Sequence, residues 1–220
     1  SIQIQQNLGA DLIFAFDECT SPLHDYKYTK RSMERTHRWA KRCLKEKSDK
    51  RQGLYGIIQG GVFRNLREQS AKFINSSNFD GIGIGGALGK TKKEMHKVLG
   101  WIAPFLSEEK PRHLLGIGSA EDIIEAVKNG MDTFDCVAPT RNARNGEALL
   151  KKGSLNLKSG RYLNDKNPIN KECLCYACQN YTRAYISHLF RAHEMLGPIL
   201  TTIHNLHFME KLMKEIREKI

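Results

Sequence analysis

Leu54-Tyr55-Gly56-Ile57-Ile58-Gln59-Gly60-Gly61, then a helical stretch over residues 66–77, then Phe79-Asp80-Gly81-Ile82-Gly83-Ile84-Gly85-Gly86: this run decides the fold. Each apolar run is too short for a helix and shows no alternation of polar and apolar residues. Such runs suit strands buried on both faces. A helix between two strands of this kind makes a parallel crossover. Both runs end in polar or glycine residues, where a ligand could approach.

The same unit repeats on either side. Asp11-Leu12-Ile13-Phe14-Ala15-Phe16 is a buried strand closed by Asp17-Glu18-Cys19-Thr20. A long helix is predicted over residues 29–47, with Met33, Thr36, Trp39, Ala40 and Cys43 on one side. A helix over 92–106, a strand over 113–118, a helix over 121–129 and a strand over 133–137 follow. Polar or glycine endings recur at Asp17, Gln59, Gly85-Gly86, Gly116 and Asp135. A (β/α)8 barrel gathers all its strand ends at one mouth, whereas a doubly wound open sheet gathers only those at its switch point. The barrel is favoured. About five units are present, so the chain reads as the C-terminal part of a barrel over residues 1–148.

After Gly146 the texture changes. Residues 147–157 resemble a β-hairpin around Lys152-Gly153, and basic residues continue through Lys158, Arg161, Lys166 and Lys171. A cysteine cluster and two helices, over 179–195 and 205–220, complete the chain. The expected division is a hairpin and metal-binding subdomain at 149–205 and a closing helix at 206–220.

The 220 residues carry a net charge of +11, which favours a polyanionic partner, nucleic acid first. The competing explanation is solvated lysine-rich helix faces, of which residues 41–50 are one. No apolar run approaches the roughly 20 residues needed to span a membrane. The start lacks the layout of a signal peptide and an initiator Met, so the chain reads as a fragment or a processed product. Scattered Cys19, Cys43 and Cys136 suit a reducing, cytoplasmic setting.

Cys173-x-Cys175-x2-Cys178 packs three thiols into six residues. Tetrahedral zinc takes four soft or imidazole ligands, and this knuckle supplies three. The fourth is one of His188, His193, His204 or His207; spacing does not choose. With no ligand position left for water, the site is expected to be structural. Gly81-x-Gly83-x-x-Gly86 matches a dinucleotide fingerprint only formally, because its glycines lie inside the strand. Asp17 and Gln59 together could read the polar edge of a purine. Asp135, at a strand end ahead of Pro139, Arg141 and Arg144, suits attack on an electrophilic carbon in an anionic substrate, with the arginines on phosphates in a polar loop.

In order, Phe16-Asp17-Glu18-Cys19, Ile58-Gln59-Gly60-Gly61, Ile84-Gly85-Gly86, Leu115-Gly116-Ile117-Gly118, Phe134-Asp135-Cys136-Val137-x-Pro139-Thr140-Arg141-x-x-Arg144-Asn145-Gly146 and Cys-x-Cys-x2-Cys-x25-His span nearly the whole chain. Together they closely resemble the bacterial-type tRNA-guanine transglycosylases (queuine tRNA-ribosyltransferases). The resemblance implies a (β/α)8 barrel with an inserted zinc subdomain and His204 as the fourth zinc ligand. It implies exchange of the anticodon wobble guanine of tRNA for a 7-deazaguanine base, preQ1 or queuine. Asp135 is then the nucleophile. Asp17, Cys19, Gln59, Gly85, Gly86 and Leu115 contact the base, and Arg141 and Arg144 contact tRNA. A homodimer is implied as well. The alternative is a non-catalytic zinc-containing tRNA-binding subunit. A zinc-dependent hydrolase is disfavoured, because no coordination position is open.

Four departures stand out. The family's serine-glycine-glycine-phenylalanine segment, preceded by a general-base aspartate, does not occur, so the chain is expected to begin after it. Ser119 replaces a lysine that contacts tRNA. Leu115 replaces a methionine under the base. Gly89 replaces a bacterial valine and resembles the eukaryotic enzymes that accept queuine, whereas Cys19 follows the bacterial pattern.

Overall fold

The computed structural model describes residues 1–220, which form two compact units: Ser1–Ile117 with Glu121–Asp135, and Gly118–Ala120 with Cys136–Ile220. The first unit holds β1 (Leu12–Phe14), β2 (Gly53–Ile58), β3 (Gly81–Ile84), β4 (Arg112–Leu114) and β5 (Thr133–Phe134). Every neighbouring pair is parallel, and the spatial order is the chain order, β1-β2-β3-β4-β5. A doubly wound sheet would reverse order at a switch point. Unbroken sequential order is that of a (β/α)8 barrel, of which this curled sheet is a part.

The crossovers are α2 (Tyr26–Glu46), α3 (Arg64–Ser76), α4 (Lys92–Ile102) and α5 (Ala120–Lys128); a short α1 (Ile2–Leu8), absent from the sequence reading, precedes β1. Helix α2 begins earlier than expected because Asp25 caps it, accepting from the Tyr28 N–H at 2.7 Å. Its buried stripe is Thr29, Ser32, Met33, Thr36, Ala40 and Cys43, a single face at helical spacing. Helix α4 opens with a reciprocal capping box between Thr91 and Glu94. Leu54, Ile58, Ile82, Ile84 and Leu114 fill the core between sheet and helices. The other face of the sheet needs glycine: Tyr55 pairs with Gly81 across β2 and β3, and a side chain at 81 would run into the tyrosine ring.

The second unit contains α6 (Ala138–Arg144), the antiparallel hairpin β6 (Glu147–Leu149) and β7 (Ser154–Asn156), α7 (Tyr176–Asn180), α8 (Arg183–Arg191) and α9 (Leu196–Arg217). The expected boundary after residue 148 falls inside this unit, because α6 packs along α9 and β6 pairs with β7. The polar loop expected around Arg141 and Arg144 is helical. Pro139 sits in the first turn of α6, where its missing N–H leaves nothing unpaired. Helix α9 also starts earlier than expected, at Leu196 and not Asn205, with Gly197 and Pro198 in its first turn, where a proline is tolerated. The helix expected over 179–195 is two helices, with Thr182 capping α8 by accepting from Tyr185 N–H. Ala148, Leu157, Ile169, Ala177, Ile186 and Leu200 form a second core around the cysteines. Buried Asn205 accepts from Leu149 N–H and donates to the carbonyls of Pro139 and Glu147, tying α9 to α6 and the hairpin. No helix is long and apolar enough to cross a membrane.

Candidate active site and metal centre

In a parallel sheet the C-terminal strand ends share one edge. Here that edge carries Asp17 and Cys19 after β1, Gln59 after β2, Gly85 and Gly86 after β3, Leu115 after β4 and Asp135 after β5. Gln59 Nε2 donates to Asp17 Oδ2 at 2.6 Å. The Gln59 side chain is fixed from behind: its backbone N–H donates to Ser70 Oγ, which meets His37 Nε2 at 3.0 Å. Its Oε1 is buried without a partner and lies against Gly86, where any Cβ would collide with it. Gly86 also has φ of 72°, in the left-handed region that favours glycine. Leu115 Cδ1 lies 3.4 Å from where a Cβ on Gly83 or Gly85 would stand, so its side chain covers the glycine strand.

Burial pushes the Asp17 carboxyl above its usual pKa, against the Gln59 hydrogen bond that lowers it. Burial also raises the Cys19 thiol, and the Asp17 charge adds to this; Arg67 and the Gly86 N–H act the other way. The edge therefore carries a half-buried carboxylate whose side-chain donor is Gln59. A ligand presenting two N–H groups would add to it.

Arg67 on α3 organises the edge, and the sequence reading missed it. It is fully buried with no carboxylate partner, and its guanidinium donates to the carbonyls of Gly61, Ile58, Gly85 and Ala87. The fork of five N–H groups fits converging carbonyls as no lysine could. Burial draws its pKa down to about 9, so it stays charged at neutral pH. Asp135 has its own support, also missed: Oδ1 accepts from Gly116 N–H at 3.0 Å and from His113 Nε2 at 3.1 Å. The period of two along strands was the available signal. It puts His113 and Leu115 on one face of β4, and Thr133 and Asp135 on one face of β5.

In the second unit Arg141 and Arg144 lie in the last turn of α6. Cys173, Cys175, Cys178 and His204 are all buried, with their ligand atoms within 4.8 Å of one another. His204 Nδ1 lies 3.6, 3.7 and 3.3 Å from the three Sγ atoms. His204 Nε2 donates to the Leu149 carbonyl at 2.8 Å, which fixes the tautomer and turns the Nδ1 lone pair toward the sulfurs. Cys175 is drawn down to about 3, first by hydrogen bonding with Cys178, whose own thiol is pushed up in turn. Three crowded sulfurs and an imidazole lone pair can hold a cation between them, and the donor set is that of a closed metal site. His188, His193 and His207 lie outside this group.

A sequential half-barrel with polar strand ends, joined in sequence to a Cys3His metal unit, defines a class of barrel proteins with an inserted metal subdomain. Within it, the chain belongs to the queuine tRNA-ribosyltransferase family, whose model matches residues 1–220. The queuine tRNA-ribosyltransferase of Halothermothrix orenii is 50% identical over 221 residues, and that of Staphylococcus haemolyticus 49% over 222. Each alignment covers 100% of this chain, which spans 59% of the relative's length.

Proposed function

We propose that the protein of which residues 1–220 are part exchanges the wobble guanine of a tRNA anticodon for a 7-deazaguanine base, through a covalent ribosyl ester on Asp135. The observation that carries this reading is the Asp17–Gln59 pair beside the Gly86 backbone, on the same strand-end edge as Asp135. Asp17 accepts from N1–H and the exocyclic amine of the base, which stabilises its charged form in a buried place. Gln59 Nε2 has a second hydrogen, free of Asp17, for O6. Gly86 gives a backbone contact, Cys19 and Gly85 complete the wall, and Leu115 lies under the ring.

Asp135 attacks C1′ as the C1′–N9 bond breaks through an oxocarbenium-like state, and the bonding pair leaves on N9. Guanine departs after taking a proton. The incoming base, deprotonated at the ring nitrogen that corresponds to N9, then attacks C1′ and returns the Asp135 carboxylate. Two inversions retain the anomeric configuration. In the family the proton passes through an aspartate ahead of a serine-glycine-glycine-phenylalanine segment, which residues 1–220 do not include. The wobble nucleotide must be extruded to reach the pocket. Arg141, Arg144 and the net charge of +11 supply phosphate contacts.

Cys173, Cys175, Cys178 and His204 hold Zn2+ in this reading. The ion is structural: it supplies cross-linking, with all four positions filled by protein. A second copy of the chain is the proposed partner. The exposed rings of Tyr176 and Tyr185, both packed on half-buried Tyr181, offer it an aromatic face, and sedimentation of the full-length protein tests this. The setting is cytoplasmic, consistent with six cysteines of which none is in a disulfide.

Labelled guanine tests the reaction. Full-length protein should transfer label into tRNA, and Asp135→Ala should lose at least about a thousandfold of the rate. Label that never enters with wild type would favour the non-catalytic tRNA-binding subunit. The same assay with queuine and its smaller aminomethyl precursor in competition addresses Gly89. Its φ of 116° and its closeness to the Glu94 side chain already demand glycine at the entry to α4. Tolerance of queuine is the expectation, and a strong preference for the smaller base would end it.

A further inference from the structure

We infer that His113 is a positioning residue for Asp135, selecting which carboxylate oxygen attacks. The inference rests on the proposed role of Asp135 as nucleophile. Both donors reaching the carboxylate, His113 Nε2 and Gly116 N–H, meet the same oxygen, Oδ1. Oδ2 is the oxygen left to bond C1′. Two donors on one oxygen fix the carboxylate's rotation, so Oδ2 points where the strand end aims it.

The imidazole is itself held. Its Nδ1 meets Thr133 Oγ1 at 2.9 Å, and the Phe14 ring of β1 lies 5.5 Å away, centroid to centroid. Its cross-strand partner on β3 is Gly83, whose missing side chain leaves room for Phe14. A carboxylate only accepts, so Nε2 carries a proton. The neutral ring then accepts from the Thr133 hydroxyl at Nδ1. Asp135 is the ionisable group His113 touches. Tyr55, packed on Phe14, and Asp132, whose charge acts on Tyr55, stand next outward.

In the first step the Oδ2–C1′ bond forms, the C1′–N9 bond breaks, and the electron pair leaves on the base. The Nε2–H holds Oδ1 and leaves Oδ2 free to form that bond.

The test is single-turnover ester formation and steady-state exchange in the full-length protein. His113→Phe is expected to lower the rate of ester formation roughly 10- to 100-fold, with KM for tRNA and thermal midpoint near wild type. His113→Gln, whose amide keeps a donor for Oδ1, is expected to recover to within about fivefold of wild type. Two results would each overturn the inference: His113→Phe at wild-type rate, or His113→Gln no better than His113→Phe. Failure of the parent reading looks different, because Asp135→Asn would then still turn over. An essential Asp135 beside a silent His113 sinks this inference alone.

Discussion

The molecule has two buried polar centres, and they are complete to different degrees. Arg67 carries a full charge in the core of the first unit, and the protein alone satisfies it with four carbonyls. The Cys173–Cys175–Cys178–His204 group turns three sulfurs and one lone pair toward each other and finishes nothing without a cation. The first centre is preorganised and holds two glycine turns ready for a ligand. The second is arranged to be completed by a bound cation, the zinc proposed for it. A protein can thus stabilise its binding edge and its scaffold by separate means, and each can be broken without the other.

The largest expected effect follows from removing the zinc proposed for the cysteine site. Structural zinc binding is worth on the order of 10 kcal/mol in small domains. A strong chelator, or Cys178→Ser, should therefore unfold the second unit. Both tryptophans, Trp39 and Trp101, lie in the first unit, whereas Tyr176, Tyr181 and Tyr185 lie in the second. Tryptophan emission should stay native while the tyrosine near-UV dichroism collapses. Loss of both together would erase the distinction between the centres. Next in size is Arg67→Met, which leaves the carbonyls of Gly61, Ile58, Gly85 and Ala87 facing methyl and methylene groups. The expected cost is about 3–5 kcal/mol, read from the denaturant midpoint of tryptophan emission. A change below about 1 kcal/mol would mean that the turns hold themselves and Arg67 only fills space.

The two centres also differ in how far the sequence reveals them. The cysteine knuckle spans six residues, so its chemistry is visible in the spacing, although the choice among four histidines was not. That choice depends on α9 placing His204 beneath the hairpin, where Leu149 takes its Nε2 proton. The strand ends were visible because β2 and β3, buried on both faces, read as apolar runs that stop abruptly at Gln59 and Gly86, and β1, although Leu12 and Phe16 are exposed, is an apolar run that stops at Asp17. Arg67 was not visible: one arginine in an amphipathic helix reads as solvent-facing until the β2 and β3 turns are known to converge on it. Helices α6 and α9 were missed or shortened for a third reason. Pro139 and Pro198 break a helix interior but suit a first turn, and the residue alone does not say which.

The smallest expected effect separates the centres by pH. His37 lies behind the binding edge, stacked on Phe73 at 4.1 Å and joined through Ser70 to the Gln59 backbone. Burial, with the Lys41 charge adding to it, lowers its pKa from 6.5 to about 4. The folded chain therefore keeps His37 neutral at pH values where the unfolded chain protonates it. This contribution to stability is fully present above about pH 6.5 and is lost as pH falls toward about 4. His37 is partly exposed, so solvent screening leaves about 1–2 kcal/mol of it. Acid also releases metal from thiolates, but that loss belongs to the second unit, which carries no tryptophan. Denaturant midpoints followed by tryptophan emission at pH 7 and pH 5 should differ more in wild type than in His37→Gln, which keeps an amide near Ser70 and cannot titrate. Equal slopes in the two proteins would show that the polar chain behind Gln59 tolerates a charge, leaving Arg67 as the support that holds this edge.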